Sequence, residues 1–159
     1  MTPPRILIGM SAALALCLTA GLGAAAPPPA DFDACKLISP KAVAVLLIGP
    51  VARASEESDN GGSSCLYQLS PEGPLIVLSV LAGDWAGIRS EYEDAPEASV
   101  PGLGRAAFWS ERNHALHVLM PSGLVMRVSL DPQEDGWSGP PLKTLAIRIA
   151  GDALSETSR

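Results

Sequence analysis

The stretch Ala115–Leu130, ALHVLMPSGLVMRVSL, decides the fold. Two apolar runs, Ala115 to Met120 and Leu124 to Leu130, flank Pro121-Ser122-Gly123, the pattern of antiparallel strands joined by a turn. In the second run Leu124, Met126, Val128 and Leu130 fall on one side, while Arg127 and Ser129 fall on the other. Alternation this regular belongs to a strand with one buried face.

Working back from the hairpin, Arg105 to Trp109 reads as a third strand, entered through the bend SVPGLGR at residues 99–105. Asp84 to Tyr92 makes a helix with Trp85, Ile88 and Tyr92 on one side. Leu75 to Ala82 is apolar without alternation, which predicts a strand covered on both faces. Ser64 to Leu69 is a strand with Cys65, Tyr67 and Leu69 sharing a face, and Val51 to Ser58 is an edge strand, polar on its outer half. ESDNGGSS, residues 57–64, turns the chain between these two. Ahead of them Ser39 caps a short helix, Pro40 suits its first turn, and Gly49-Pro50 stops it. After the hairpin and DPQEDGWSGPP, the residues Leu142, Leu145, Ala146, Ile149 and Ala153 form a helical stripe. The elements run α-βββ-α-βββ-α, and helices separated by meanders define an α+β class. We expect a single antiparallel sheet of about five to six strands with helices packed on it.

The start of the chain predicts export. Arg5 precedes an apolar or small run from Ile6 to Leu22, followed by Gly23-Ala24-Ala25-Ala26 and Pro27-Pro28-Pro29. These are the charged, apolar and small-residue regions of a secretory leader. Residues 1–25 are read as the signal peptide, cut after Ala25, because a cut after Ala26 would put Pro27 first. Residues 26–32 are a disordered proline-rich segment, and residues 33–159 one α+β domain. Cys17 lies in the middle of the apolar run behind Leu16, not behind the small residue that a lipidation signal wants. The expected location is periplasmic or secreted, with no membrane span after cleavage.

Cleavage leaves two of the three cysteines, Cys35 and Cys65. An even count in an oxidising compartment predicts one disulfide. The ring of about 31 residues that it closes corresponds to roughly 3–4 kcal/mol of stabilisation. Loss of Arg5 takes the net charge from −6 to −7, which disfavours nucleic acid and anionic lipid surfaces as partners.

Little in the sequence resembles a catalytic constellation. The glycines of PGLGR, Gly102 and Gly104, precede a strand, whereas a phosphate-binding turn follows a strand and opens a helix; they are read as a structural turn. His114 is taken as a turn residue and His117 as a surface strand residue, on opposite faces and unable to share a metal. The acids at 56–59, 91–94 and 131–135 lack the alternating ligands of a calcium loop. Ser122 sits in a turn, without the strand-to-helix setting of a nucleophile elbow. No catalytic, cofactor or metal residues are assigned. Trp137, between glycines in a loop, is the expected contact residue for a partner.

Several short motifs resemble one family. Asp33-Ala34-Cys35, Ile38-Ser39-Pro40, Val45-Leu46, Gly49-Pro50, Ser64-Cys65-Leu66-Tyr67, Val100-Pro101-Gly102-Leu103-Gly104 and Ala106-Ala107-Phe108-Trp109 look like the small secreted bacterial proteins grouped as domain of unknown function 3558. The resemblance covers most of the mature chain. It implies an envelope location, structural roles for Cys35, Cys65, Gly102 and Gly104, and no established reaction. Arg105 departs from that pattern, standing where an acidic residue is common. Many members are lipoproteins, and this chain has no matching anchor site.

The expectation is a non-enzymatic, exported cell-envelope domain that binds an envelope protein or small ligand, without a cofactor. Two alternatives stand beside it. One is an envelope hydrolase using Glu91, Glu93 or Asp94 near His117; the other is a secreted inhibitor presenting the loop around Asn60-Gly61-Gly62.

Overall fold

The PSG turn joins two strands as the sequence requires, and the register they set runs through the whole sheet. A computed structural model describes residues 32–47, 49–51, 53–59, 62–68, 74–93, 98–131, 137 and 139–157. The leader at 1–25, the segment 26–31, the tip Asn60-Gly61, Leu69, Asp94 and the acids at 132–136 lie outside the described residues. A 3-10 turn, Ala34–Lys36, leads into α1 (Pro40–Leu47). Three strands follow, β1 (Arg53–Asp59), β2 (Gly62–Gln68) and β3 (Leu75–Leu81), then α2 (Trp85–Tyr92). The last elements are β4 (Ala106–Ser110), β5 (Ala115–Leu119), β6 (Val125–Asp131) and α3 (Leu142–Glu156).

The strands form one six-stranded antiparallel sheet in the order β1-β2-β3-β6-β5-β4. Each half is a meander, and the two meet where β3 pairs with β6. The chain is α+β, with a single sheet and one disulfide.

One face of the sheet carries the core. Cys65, Tyr67, Ile76, Leu78, Val80, Trp109, Leu116, Val118, Met126, Val128 and Leu130 pack there against α1, α3 and the segment before α1. The stripe on α3 supplies Leu145, Ala146, Ile149, Ala150 and Ala153, all buried. At α1 the Ser39 hydroxyl accepts from the Ala42 N–H at 3.2 Å, satisfying one of the amides that a helix start leaves open.

The 3-10 turn is held on the same face by three links to β2. Cys35 is bonded to Cys65. The Ala34 N–H donates to Ser63 Oγ at 2.9 Å, and the Tyr67 hydroxyl donates to the Ile38 carbonyl at 2.7 Å. Burial, with the charge of Asp33 as a smaller cause, pushes the Tyr67 phenol up to about 12, so it stays a donor at any ordinary pH.

Two expectations need correction. Strand β3 is not covered on both faces: Ile76, Leu78 and Val80 are buried, while Leu75, Val77, Ser79 and Leu81 are only partly covered. An all-apolar run hides alternation when the second face is apolar without being packed. His117 is not a surface residue but 2% exposed, because α2 lies over the second face at that end of the sheet.

Candidate functional site

The second face is built by the alternate residues of the same strands, and their pairing lines them up across the sheet. Glu57 pairs with Ser64, Ser64 with Ser79, Ser79 with Arg127, Arg127 with His117, and His117 with Phe108. One row of side chains thus crosses all six strands, polar over most of its length and ending in an aromatic ring. Neighbours in such a row have Cβ atoms about 5 Å apart. Ser64 Oγ donates to Ser79 Oγ at 2.8 Å, which leaves the Ser79 proton free to donate onward.

Helix α2 covers the β4–β5–β6 end of this row. Its start is fixed by Asp84, whose carboxylate accepts from the N–H groups of Ala86 and Gly87, each at 3.1 Å. Ile88 lies over Gly83, on the side of that residue that also faces Leu81 and Val125. Trp85 meets Phe108 with ring centroids 5.4 Å apart. Below them Phe108 stacks on His117 at 4.7 Å, and Tyr92 stacks on His117 at 5.2 Å. The Tyr92 ring also takes the Arg127 guanidinium at 5.7 Å. Near the helix end, Arg112 in the β4–β5 turn donates to the Glu91 carbonyl at 3.2 Å. Even so, α2 buries none of its residues completely.

The imidazole of His117 is held neutral. Burial in the aromatic stack, reinforced by the positive charge of Arg127, pulls it down to about 4. Its Nε2 is buried without a hydrogen-bond partner, and so is Nε of Arg127. Unsatisfied buried polar atoms are rare and demand a cause; two of them on directly paired residues mark this part of the row as unusual.

Beyond Arg127 no described helix lies on the second face. Leu66, Leu75 and Val77 are half-buried there, and none belongs to the core cluster. With Ser64 and Ser79 between them they form a platform of apolar side chains around a hydroxyl pair, bounded by Arg127 and Tyr92.

A cleft of about 250 Å³ opens on the other side of α2, between Trp85, Arg89 and Glu93 on the helix and the 99–107 bend. Glu93 is engaged by Arg89 through Nε at 2.6 Å and Nη2 at 2.9 Å; this bidentate bond, ahead of the plain charge attraction, raises the guanidinium above its usual value. Gly102 and Gly104 have φ of 84° and 54°. A Cβ at Gly104 would run into the Leu119 carbonyl, whereas one at Gly102 would meet nothing. Gly104→Ala is therefore expected to cost about 2–3 kcal/mol and Gly102→Ala about 1 kcal/mol. Urea unfolding of the two variants checks the order.

The other expected site residues are scattered. Glu91 is exposed, and its carboxylate bonds Tyr92, whose hydroxyl is raised by that bond first and by burial second. No acid among the described residues hydrogen-bonds His117, and the serines of the row bond each other. His114 occupies the β4–β5 turn at φ 44°. Trp137 is half-buried against the core, with its indole N–H donated to the Pro140 carbonyl at 2.8 Å. No three potential metal ligands converge among the described residues. Set against family models, curated proteins and solved structures, the chain matches none of them.

The Glu57–Phe108 row was beyond sequence reasoning. Arg127 and Ser129 were visible as the off-face residues of one strand, but their neighbours come from β3 and β5, and the β3–β6 pairing has no local signal.

Proposed function

We propose that the protein is a non-enzymatic domain of the cell envelope, periplasmic or secreted, that binds a ligand or partner on the second face of its sheet. One observation carries the reading: among the described residues α2 is the helix on that face and lies at one end of it, beside an apolar and hydroxyl-bearing platform bounded by an arginine that forms no described ion pair. Export is supported by the leader pattern and by the Cys35–Cys65 bond, since disulfides persist in oxidising compartments. The resemblance to the secreted domain of unknown function 3558 points the same way. Nothing in the row is arranged as a nucleophile with its base, because His117 Nε2 meets no hydroxyl.

The test is affinity capture from envelope extract with the disulfide-intact chain, beside a variant whose platform is blocked by Leu66→Arg and Val77→Arg. A component retained by the first and lost by the second supports the reading. Equal retention by both moves binding elsewhere. Turnover in a broad hydrolase panel, abolished by one side-chain change, would replace it with catalysis.

A further inference from the structure

We propose that Arg127 and the platform beside it bind a small monocarboxylic acid with an apolar chain, the carboxylate on Arg127 and the chain across Val77 and Leu66. This rests on the reading that the second face is a binding surface and names the ligand class. Arg127 is the only cation in its row. Its Nε is buried with no acceptor, it forms no ion pair among the described residues, and its ring contact with Tyr92 supplies no hydrogen bond. An arginine presents parallel N–H groups that match the two oxygens of a carboxylate. Ser79, directly opposite on β3, has a proton left to donate after accepting from Ser64. His117, directly opposite on β5, has a buried Nε2 that also lacks a partner. The unsatisfied Nε–H of Arg127 is the donor that a bound oxyanion would complete.

A single cation suits a monoanion and not a phosphate dianion. The acid of the row, Glu57, is three strands from Arg127, about 14 Å at ordinary strand spacing, too far to neutralise it. The apolar part of the ligand follows from the platform. Val77 and Leu66 are paired on β3 and β2, so the surface leading away from Arg127 extends about 10 Å over two strand spacings, the reach of an eight- to ten-carbon chain. Tyr92 lies over the guanidinium, and α2, which buries no residue completely, is the element that yields when the carboxylate approaches Nε.

The experiment titrates decanoate into the disulfide-intact chain and follows the Arg127 Nε–H signal, the His117 ring signals and the β2, β3 and β6 amides by NMR. Saturable shifts on these groups are expected, with affinity at least tenfold above that of decan-1-ol, acetate or inorganic phosphate. Arg127→Met, which keeps the stem and removes the charge, is expected to weaken decanoate at least tenfold. If that variant fails to fold, the comparison of decanoate with decan-1-ol and decyltrimethylammonium on the unaltered chain still decides. Equal binding of either analogue means apolar adhesion alone and overturns the proposal. So does phosphate binding as tightly as decanoate, or the absence of saturation. Capture of an envelope partner can succeed while decanoate fails to bind, so the two readings fall separately.

Discussion

Replacing Cys35 and Cys65 by alanine is expected to lower the unfolding free energy by about 3–4 kcal/mol, the chain-entropy value for a ring of about 31 residues. A domain of this size has a net stability of only about 5–15 kcal/mol, so the change takes away a large fraction of it. The bond acts mainly by restricting the unfolded chain, but its placement adds a folded-state consequence. Cys65 is wholly buried on β2, and Cys35 belongs to the 3-10 turn that precedes α1. Without the bond this turn is held by the Ala34 N–H on Ser63 Oγ and by the Tyr67 hydroxyl on the Ile38 carbonyl, each worth about 1 kcal/mol. Amide exchange at residues 34–38 is therefore expected to accelerate more than exchange in β5 and β6, which the bond does not touch. Urea unfolding of the double variant beside the oxidised chain checks the global term. A loss under about 1 kcal/mol would mean that the unfolded chain is already compact around this loop.

The parts of the fold that were legible are those whose signals are local. Ser39 and Pro40 announce a helix start, the α3 stripe recurs at three and four, and the PSG hairpin is written within sixteen residues. The Cys35–Cys65 pairing followed from a count. What failed was the second face. Parity along a strand says that His117 and Leu116 point opposite ways, but not which face a helix covers, so parity alone leaves His117 facing solvent. The stripe Trp85, Ile88 and Tyr92 was visible on α2, yet its docking place depends on a connection that returns from the sheet centre to its far edge. β3 misled for a related reason: Leu75 and Val77 are apolar residues on the end of the second face away from α2, outside the core cluster. The same blindness hid the platform, whose residues come together only through the β3–β6 pairing.

The second large effect is expected on acidification. His117 is stacked between Phe108 and Tyr92, 4.7 Å and 5.2 Å away by ring centroids, and faces Arg127 across the strand pair. The charged group that acts on it is Arg127 on β6; Arg112 in the β4–β5 turn and Glu91 act on its stacking partner Tyr92, the first by its charge and the second through a bond to the Tyr92 hydroxyl. Burial first and the Arg127 charge second hold the imidazole at about 4, against about 6.5 in an unfolded chain. Because the folded value is the lower one, the unfolded chain binds the extra proton between these limits. The stabilisation from a neutral His117 is fully present above about pH 6.5 and is lost progressively down to about pH 4. The loss amounts to about 2–3 kcal/mol after allowance for residual solvation of the ring. Carboxylates titrate in the same range, so the wild-type curve alone does not isolate this contribution. His117→Phe does, since it keeps an aromatic ring between Phe108 and Tyr92 and removes the proton site. The stability difference between the two proteins should move by about 2–3 kcal/mol in favour of the phenylalanine variant between pH 7 and pH 4. Amides of α2, the helix resting on this stack, should lose protection over the same interval in the wild type only. A difference that stays constant with pH would mean that the imidazole takes up its proton without leaving the stack, and the neutral-ring account of this site would fail.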